Sequence, residues 1–126
     1  VRDDGCVTNA SAALRLLPGR LAVVVVRGRS MEPTLQDGDR LLVRAAPRAT
    51  RRARDGRLVV VRLPGGRPAG VKRLVHTGDD GWWVERDNPD EGVDSWQVGA
   101  IGDAGQLGVV ALRLWPRPGL FRRRRD

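Results

Sequence analysis

Leu21-Ala-Val-Val-Val-Val-Arg27, followed at once by Gly28-Arg-Ser-Met-Glu-Pro-Thr34, is the stretch that decides the class of fold. Consecutive valines lose side-chain freedom in a helix and pack well on a pleated surface. Gly28 and Pro33 stop any helix that would continue the run. The stretch therefore reads as a buried strand ending in a turn.

The same pattern recurs on the C-terminal side. Arg40 to Arg44, Arg57 to Leu63, Val71 to His76, Trp82 to Glu85 and Val109 to Trp115 are short apolar runs separated by Gly, Asp or Pro, the mark of a mainly β domain. Thr77-Gly-Asp-Asp-Gly81 reads as a hairpin loop. Ala45 to Asp55, with Pro47 and several arginines, reads as an exposed connection. On the N-terminal side, residues 1 to 20 form an expected mobile lead-in, disordered or briefly helical over Ala10 to Leu17 before Pro18-Gly19 ends it. The expected domain spans residues 21–116, followed by a basic tail over 117–126. No internal repeat and no long amphipathic helix appears.

A chain of 126 residues fits one domain with a real core. Its net charge of +8 comes from arginines scattered along the chain with few aromatics between them, which argues against a nucleic-acid partner. Cys6 and His76 are each the sole residue of their type, too few for an internal disulfide or a typical zinc site, so neither metal nor cofactor is implied. The longest apolar run falls far short of the ~20 residues that span a bilayer, and no transmembrane segment is expected. The start Val1-Arg-Asp-Asp-Gly5 is unlike a signal peptide, so a soluble cytoplasmic protein is expected, with peripheral membrane association through Arg122 to Arg125 left open.

Ser30 stands where the strong strand gives way to a Pro-bearing turn, a position from which a hydroxyl projects into a cleft while its own N–H points to the same place. Gly28 keeps the approach clear of a side chain. A serine hydroxyl needs a base, and Lys72 and His76 are the only nitrogen bases available, because arginine stays protonated. Lys72 is the single lysine in a chain otherwise drifted to arginine. Strand alternation puts it on the face of Leu74, with Val71 and Val75 opposite, so the local sequence supplies the apolar surroundings that disfavour an ammonium ion. His76 lies on the same face at the strand's end and reads as solvent-facing. The plainer readings stay open at this point: Ser30 as a turn residue, Lys72 as a surface lysine on an edge strand.

Taken together, four ordered blocks resemble the signal peptidase I class of Ser/Lys peptidases. They are Gly28-Arg-Ser-Met-Glu-Pro-Thr-Leu35, Asp37-Gly-Asp-Arg-Leu-Leu-Val43, Asp55-Gly-Arg-Leu-Val-Val-Val61 with Gly70-Val-Lys-Arg-Leu-Val75, and Arg86-Asp-Asn-Pro-Asp-Glu-Gly-Val-Asp-Ser95. Gly-Trp-Trp-Val84 and the closing Leu-Arg-Leu-Trp-Pro116 are most similar to nickel-type superoxide dismutase maturation proteases. The resemblance implies twisted antiparallel sheets of the signal peptidase type and a serine endopeptidase that removes an N-terminal leader from a dismutase precursor. It implies Ser30 and Lys72 as the catalytic pair, Gly28, Ser30 and Met31 around the oxyanion and substrate, and Asp39, Asp87, Asn88, Asp94 and Ser95 as supports. Three positions depart from the family's pattern. Arg86 replaces a glycine, Gly92 a serine that orients the lysine, and Trp96 an arginine that pairs with the aspartate. Ser95 is the candidate to take over the orienting role. The alternatives are a self-cleaving repressor-type Ser/Lys peptidase and a weakened, peptide-binding relative.

Overall fold

A computed structural model describes residues 6–8, 21–45 and 53–121. Seven strands form one antiparallel sheet: β1 (Cys6–Thr8), β2 (Leu21–Arg27), β3 (Arg40–Arg44), β4 (Leu58–Arg62), β5 (Ala69–Gly78), β6 (Gly81–Glu85) and β7 (Gln106–Trp115). Their order is β1-β2-β3-β7-β4-β5-β6. A bridge from Cys6 to Gly70 also joins β1 to β5, which curls the sheet back on itself and leaves β6 extending from the far half of β5. The expected mainly β fold is the observed one.

Burial follows the two-residue period of a strand. In β2, Ala22, Val24 and Val26 are buried while Leu21, Val23 and Val25 are only partly so. β4 is buried on both faces, which explains its unbroken Leu58-Val-Val-Val61. Leu58 and Val60 join Val24, Val26, Leu41, Val43 and Val71 in one cluster, whereas Val59 and Val61 join Leu74, Trp82, Val84 and Ile101 in a second. Register shifts interrupt the pairing of β3 with β7, β4 with β7 and β5 with β6, and such bulges increase local twist.

Some boundaries differ from the sequence expectation. The hairpin after β5 is tighter than the five-residue loop expected, because pairing runs on to Gly78 and Gly81. Gly81 is required there: its φ is +121°, and a Cβ would lie 2.1 Å from the Ile101 carbonyl oxygen. Cys6–Thr8, inside the expected lead-in, pairs with Thr8 opposite Val25 and Cys6 opposite Arg27. The helical turns expected over Ala10 to Leu17 and the basic stretch Arg122 to Arg125 lie outside the described residues, as does most of the connection before β4. Among the described residues, no helix is long and apolar enough to cross a membrane.

Candidate active site

Two strands and one turn bring the predicted pair together. After β2 the chain reverses at Gly28, whose φ of +91° is open to glycine. Its N–H donates to Asp37 Oδ1 at 2.8 Å, while Gly38 N–H donates to Val26 O at 2.7 Å and Val26 N–H to Asp39 O at 2.8 Å. These bonds close the base of a loop over residues 28–39. Inside it Leu35 N–H donates to Met31 O, giving one helix-like turn that turns Ser30 inward.

Lys72 lies in β5 directly across from Val59 of β4 and on the face of Leu74, as alternation predicts. Its amine is hydrogen-bonded to Ser30 Oγ at 3.0 Å, across 42 positions of sequence. Both residues are inaccessible to solvent, Ser30 at 0% and Lys72 at 1%. The plainer reading of Lys72 as a surface lysine therefore does not hold, and Ser30, although it stands in a turn, is buried against Lys72. No hydrogen bond to another described residue occupies the Ser30 N–H. His76 is exposed, as expected, but a register shift between Leu74 and His76 puts it on the face opposite Lys72, where it stacks on Trp83 with ring centroids 6.0 Å apart.

The strap over this turn is Arg86-Asp-Asn88. Asn88 N–H donates to Ser30 O at 2.7 Å and Asn88 Nδ2 to Arg29 O at 2.9 Å, so one residue grips both peptide units around the serine. Asp87 N–H donates to Met31 Sδ at 3.3 Å. The Met31 side chain is packed in the first core cluster, so it supports the turn from below. Asp87 is also the hub of a buried polar group. Arg73, next to Lys72, donates from Nη2 to Asp87 Oδ2 at 2.6 Å and from Nε to Oδ1 at 3.3 Å; Thr34 Oγ1 donates to Oδ2 at 2.5 Å. Arg73 Nη1 donates to Gly56 O at 3.0 Å. A strand, a turn and a strap are thus locked to one carboxylate.

The remaining predicted supports hold the backbone. Asp39 accepts from Gln36 N–H at 3.0 Å and pairs with Arg113 of β7 at 3.4 Å. Asp94 caps the short helix α1 (Ser95–Val98), with Oδ1 accepting from Trp96 N–H and Oδ2 from Arg86 N–H, each at 3.0 Å. Ser95 Oγ accepts from Val84 N–H at 2.9 Å, fastening α1 to β6.

The departures from the family pattern have structural counterparts. Trp96 does not replace the lost ion pair; it is exposed and donates its indole N–H to Glu85 at 2.9 Å. Arg86, the first residue of the strap, does so instead, with Nη1 3.3 Å from Asp94 Oδ2. Gly92 has φ +104°, a conformation in which a serine would be strained. Arg73, Thr34 and Arg86 were absent from the expected site. An arginine directly beside Lys72 in a strand buried on both faces was the available signal, because a buried guanidinium needs a carboxylate.

The family model described as Peptidase S24-like matches residues 7–110. With the mainly β fold, this makes the chain a serine peptidase by class. It belongs to the Peptidase S24-like family. No curated protein matches the chain.

Proposed function

We propose that this chain is a Ser/Lys endopeptidase, with Ser30 as nucleophile and Lys72 as general base, that removes an N-terminal leader from a nickel superoxide dismutase precursor. The observation that carries this reading is the 3.0 Å contact between two buried groups, Lys72 Nζ and Ser30 Oγ. Burial by itself disfavours the ammonium form, and only the neutral amine can take a proton.

In the reaction, Lys72 Nζ accepts the Ser30 hydroxyl proton as Oγ attacks the scissile carbonyl carbon. The Ser30 N–H donates to the oxyanion, and the Lys72 ammonium returns its proton to the departing amine nitrogen. Water then adds to the acyl ester, with Lys72 again taking a proton, and Ser30 is regenerated. Gly28 leaves the approach free of a side chain, and an extended substrate pairs with a sheet edge. Asp39, Asp87, Asn88, Asp94 and Ser95 act by holding the turn and strap in place. The reaction needs no cofactor, and the proposed setting is the cytoplasm.

Membership of the Peptidase S24-like family also suits a self-cleaving repressor-type peptidase, which would turn the same pair on its own chain. Incubating the purified chain with a leader-bearing dismutase precursor separates the readings. Release of the leader from the precursor, with this chain intact, supports leader removal. Cleavage of this chain alone supports the self-cleaving reading, and binding without cleavage supports the weakened relative.

A further inference from the structure

The C-terminal end of β7 carries features that the peptidase reading leaves unused. Trp115 is 54% exposed, Leu120 81% and Leu114 36%. They lie on a short hairpin closed by a reciprocal pair of bonds, Arg113 N–H to Gly119 O at 2.8 Å and Gly119 N–H to Arg113 O at 3.1 Å. Pro116 and Pro118 stiffen the turn between them. Arg113 Nη2 donates to Thr34 O at 2.7 Å, and its guanidinium lies over the Phe121 ring at 5.0 Å, tying the hairpin to the body. The exposed apolar groups are therefore presented on a fixed scaffold, and little ordering is lost on docking.

Their distribution indicates what they meet. Arg40 lies opposite Trp115 and Leu41 opposite Arg113, so a bulge falls at Leu114; Trp115 shares the outward face of Arg40, and the Arg113–Gly119 bridge sets Leu120 on that face as well. Positive charge sits beside it: Arg40 lies over the Trp115 ring at 5.1 Å, and Arg117 is exposed in the turn. Tryptophan and leucine at the tip with arginine beside them match the apolar boundary and the anionic headgroups of a lipid bilayer.

We propose that this hairpin docks the protein onto anionic lipid surfaces, with Trp115 and Leu120 entering the headgroup boundary and Arg40 and Arg117 contacting lipid phosphates. The proposal is independent of the peptidase reading. The test is flotation of the full chain with vesicles of phosphatidylcholine alone and with vesicles that also contain phosphatidylglycerol, at low and high salt. Flotation is expected only with phosphatidylglycerol and is expected to weaken at high salt, because the attraction is screened over a Debye length of about 10 Å at 0.1 M. Leu120→Ser, the most exposed of these positions, and Trp115→Ser/Leu120→Ser should each weaken binding, the double variant by roughly tenfold or more. Arg40→Glu/Arg117→Glu should weaken it similarly, with unchanged thermal unfolding as the check on folding. No flotation, equal flotation with both vesicles, tighter binding to a short RNA duplex than to phosphatidylglycerol vesicles, or no effect of Leu120→Ser and the arginine pair would each overturn the proposal.

Discussion

Asn88 holds Ser30 by its backbone: the Asn88 N–H donates to the Ser30 carbonyl oxygen at 2.7 Å, while the Asn88 side chain reaches Arg29 O at 2.9 Å. The orientation of the serine thus depends on a strap 58 positions further along the chain. Replacing the amide tests that dependence without touching substrate. Asn88→Ala leaves the backbone bond and should cost about 0.5–1.5 kcal/mol of stability. Asn88→Asp sets a carboxylate against the Arg29 carbonyl and should lower kcat by roughly 10–100-fold with little change in KM, as expected for a misplaced reacting group. Urea unfolding checks the first and steady-state kinetics of leader removal the second. Unchanged kcat in the Asn88→Asp protein would show that the strap does not position the serine.

The Arg73–Asp87 pair is buried on both sides, with side chains 8% and 2% exposed. Removing one partner strands the other charge away from water. Asp87→Asn should therefore destabilise by about 3–5 kcal/mol, while Arg73→Met/Asp87→Leu should cost less than Asp87→Asn alone. Urea unfolding of the three proteins measures this, and a cost under about 1 kcal/mol for Asp87→Asn would contradict it.

Asp94 holds the first residue of the strap, accepting from Arg86 N–H and pairing with its guanidinium. Arg86→Ala should destabilise by about 1–3 kcal/mol, since the Asp94 carboxylate keeps its backbone donors but loses its guanidinium partner. Adding Trp96→Arg returns a positive group beside Asp94 and should recover part of that loss in a double-mutant cycle. Strict additivity of the two substitutions would show that they do not share a partner.

The strands were legible because valine runs and turn residues report burial locally. β2, β4 and β5 follow directly from Leu21 to Val26, Leu58 to Val61 and Val71 to Leu74. The Ser30–Lys72 meeting was legible through residue type: one lysine, and a serine placed where a strand ends. What stayed hidden depends on register or on very short elements. Whether Arg73 meets Asp87 is set by how β5 and the strap come to rest against the turn, which no local window contains. β1 has only three residues and draws its stability from pairing with β2 and β5. α1 has four, below any helical period, although the Asp94…Gln97 capping box that starts it is visible in the sequence. Arg86 looked like a loss of the family pattern because its compensation for Trp96 exists only in space.

The pH dependence of cleavage has a definite sign. Lys72 acts only after losing its proton, so kcat/KM should rise with pH as the amine is neutralised and then level off. A profile flat from mildly acidic to alkaline pH would count against lysine as the base. His76 does not complicate this, since His76→Ala should leave the profile unchanged.

The account rests on an amine that must give and take a proton at Ser30, and Lys72→Arg asks for that directly. Arginine keeps much of the length of the side chain but stays protonated and cannot serve as the base. Cleavage of the leader-bearing precursor should be slower by about 10³-fold or more in Lys72→Arg, and comparably so in Ser30→Ala. A Lys72→Arg protein that cleaves at the wild-type rate, or a wild-type protein that cleaves no faster than these variants, would contradict it.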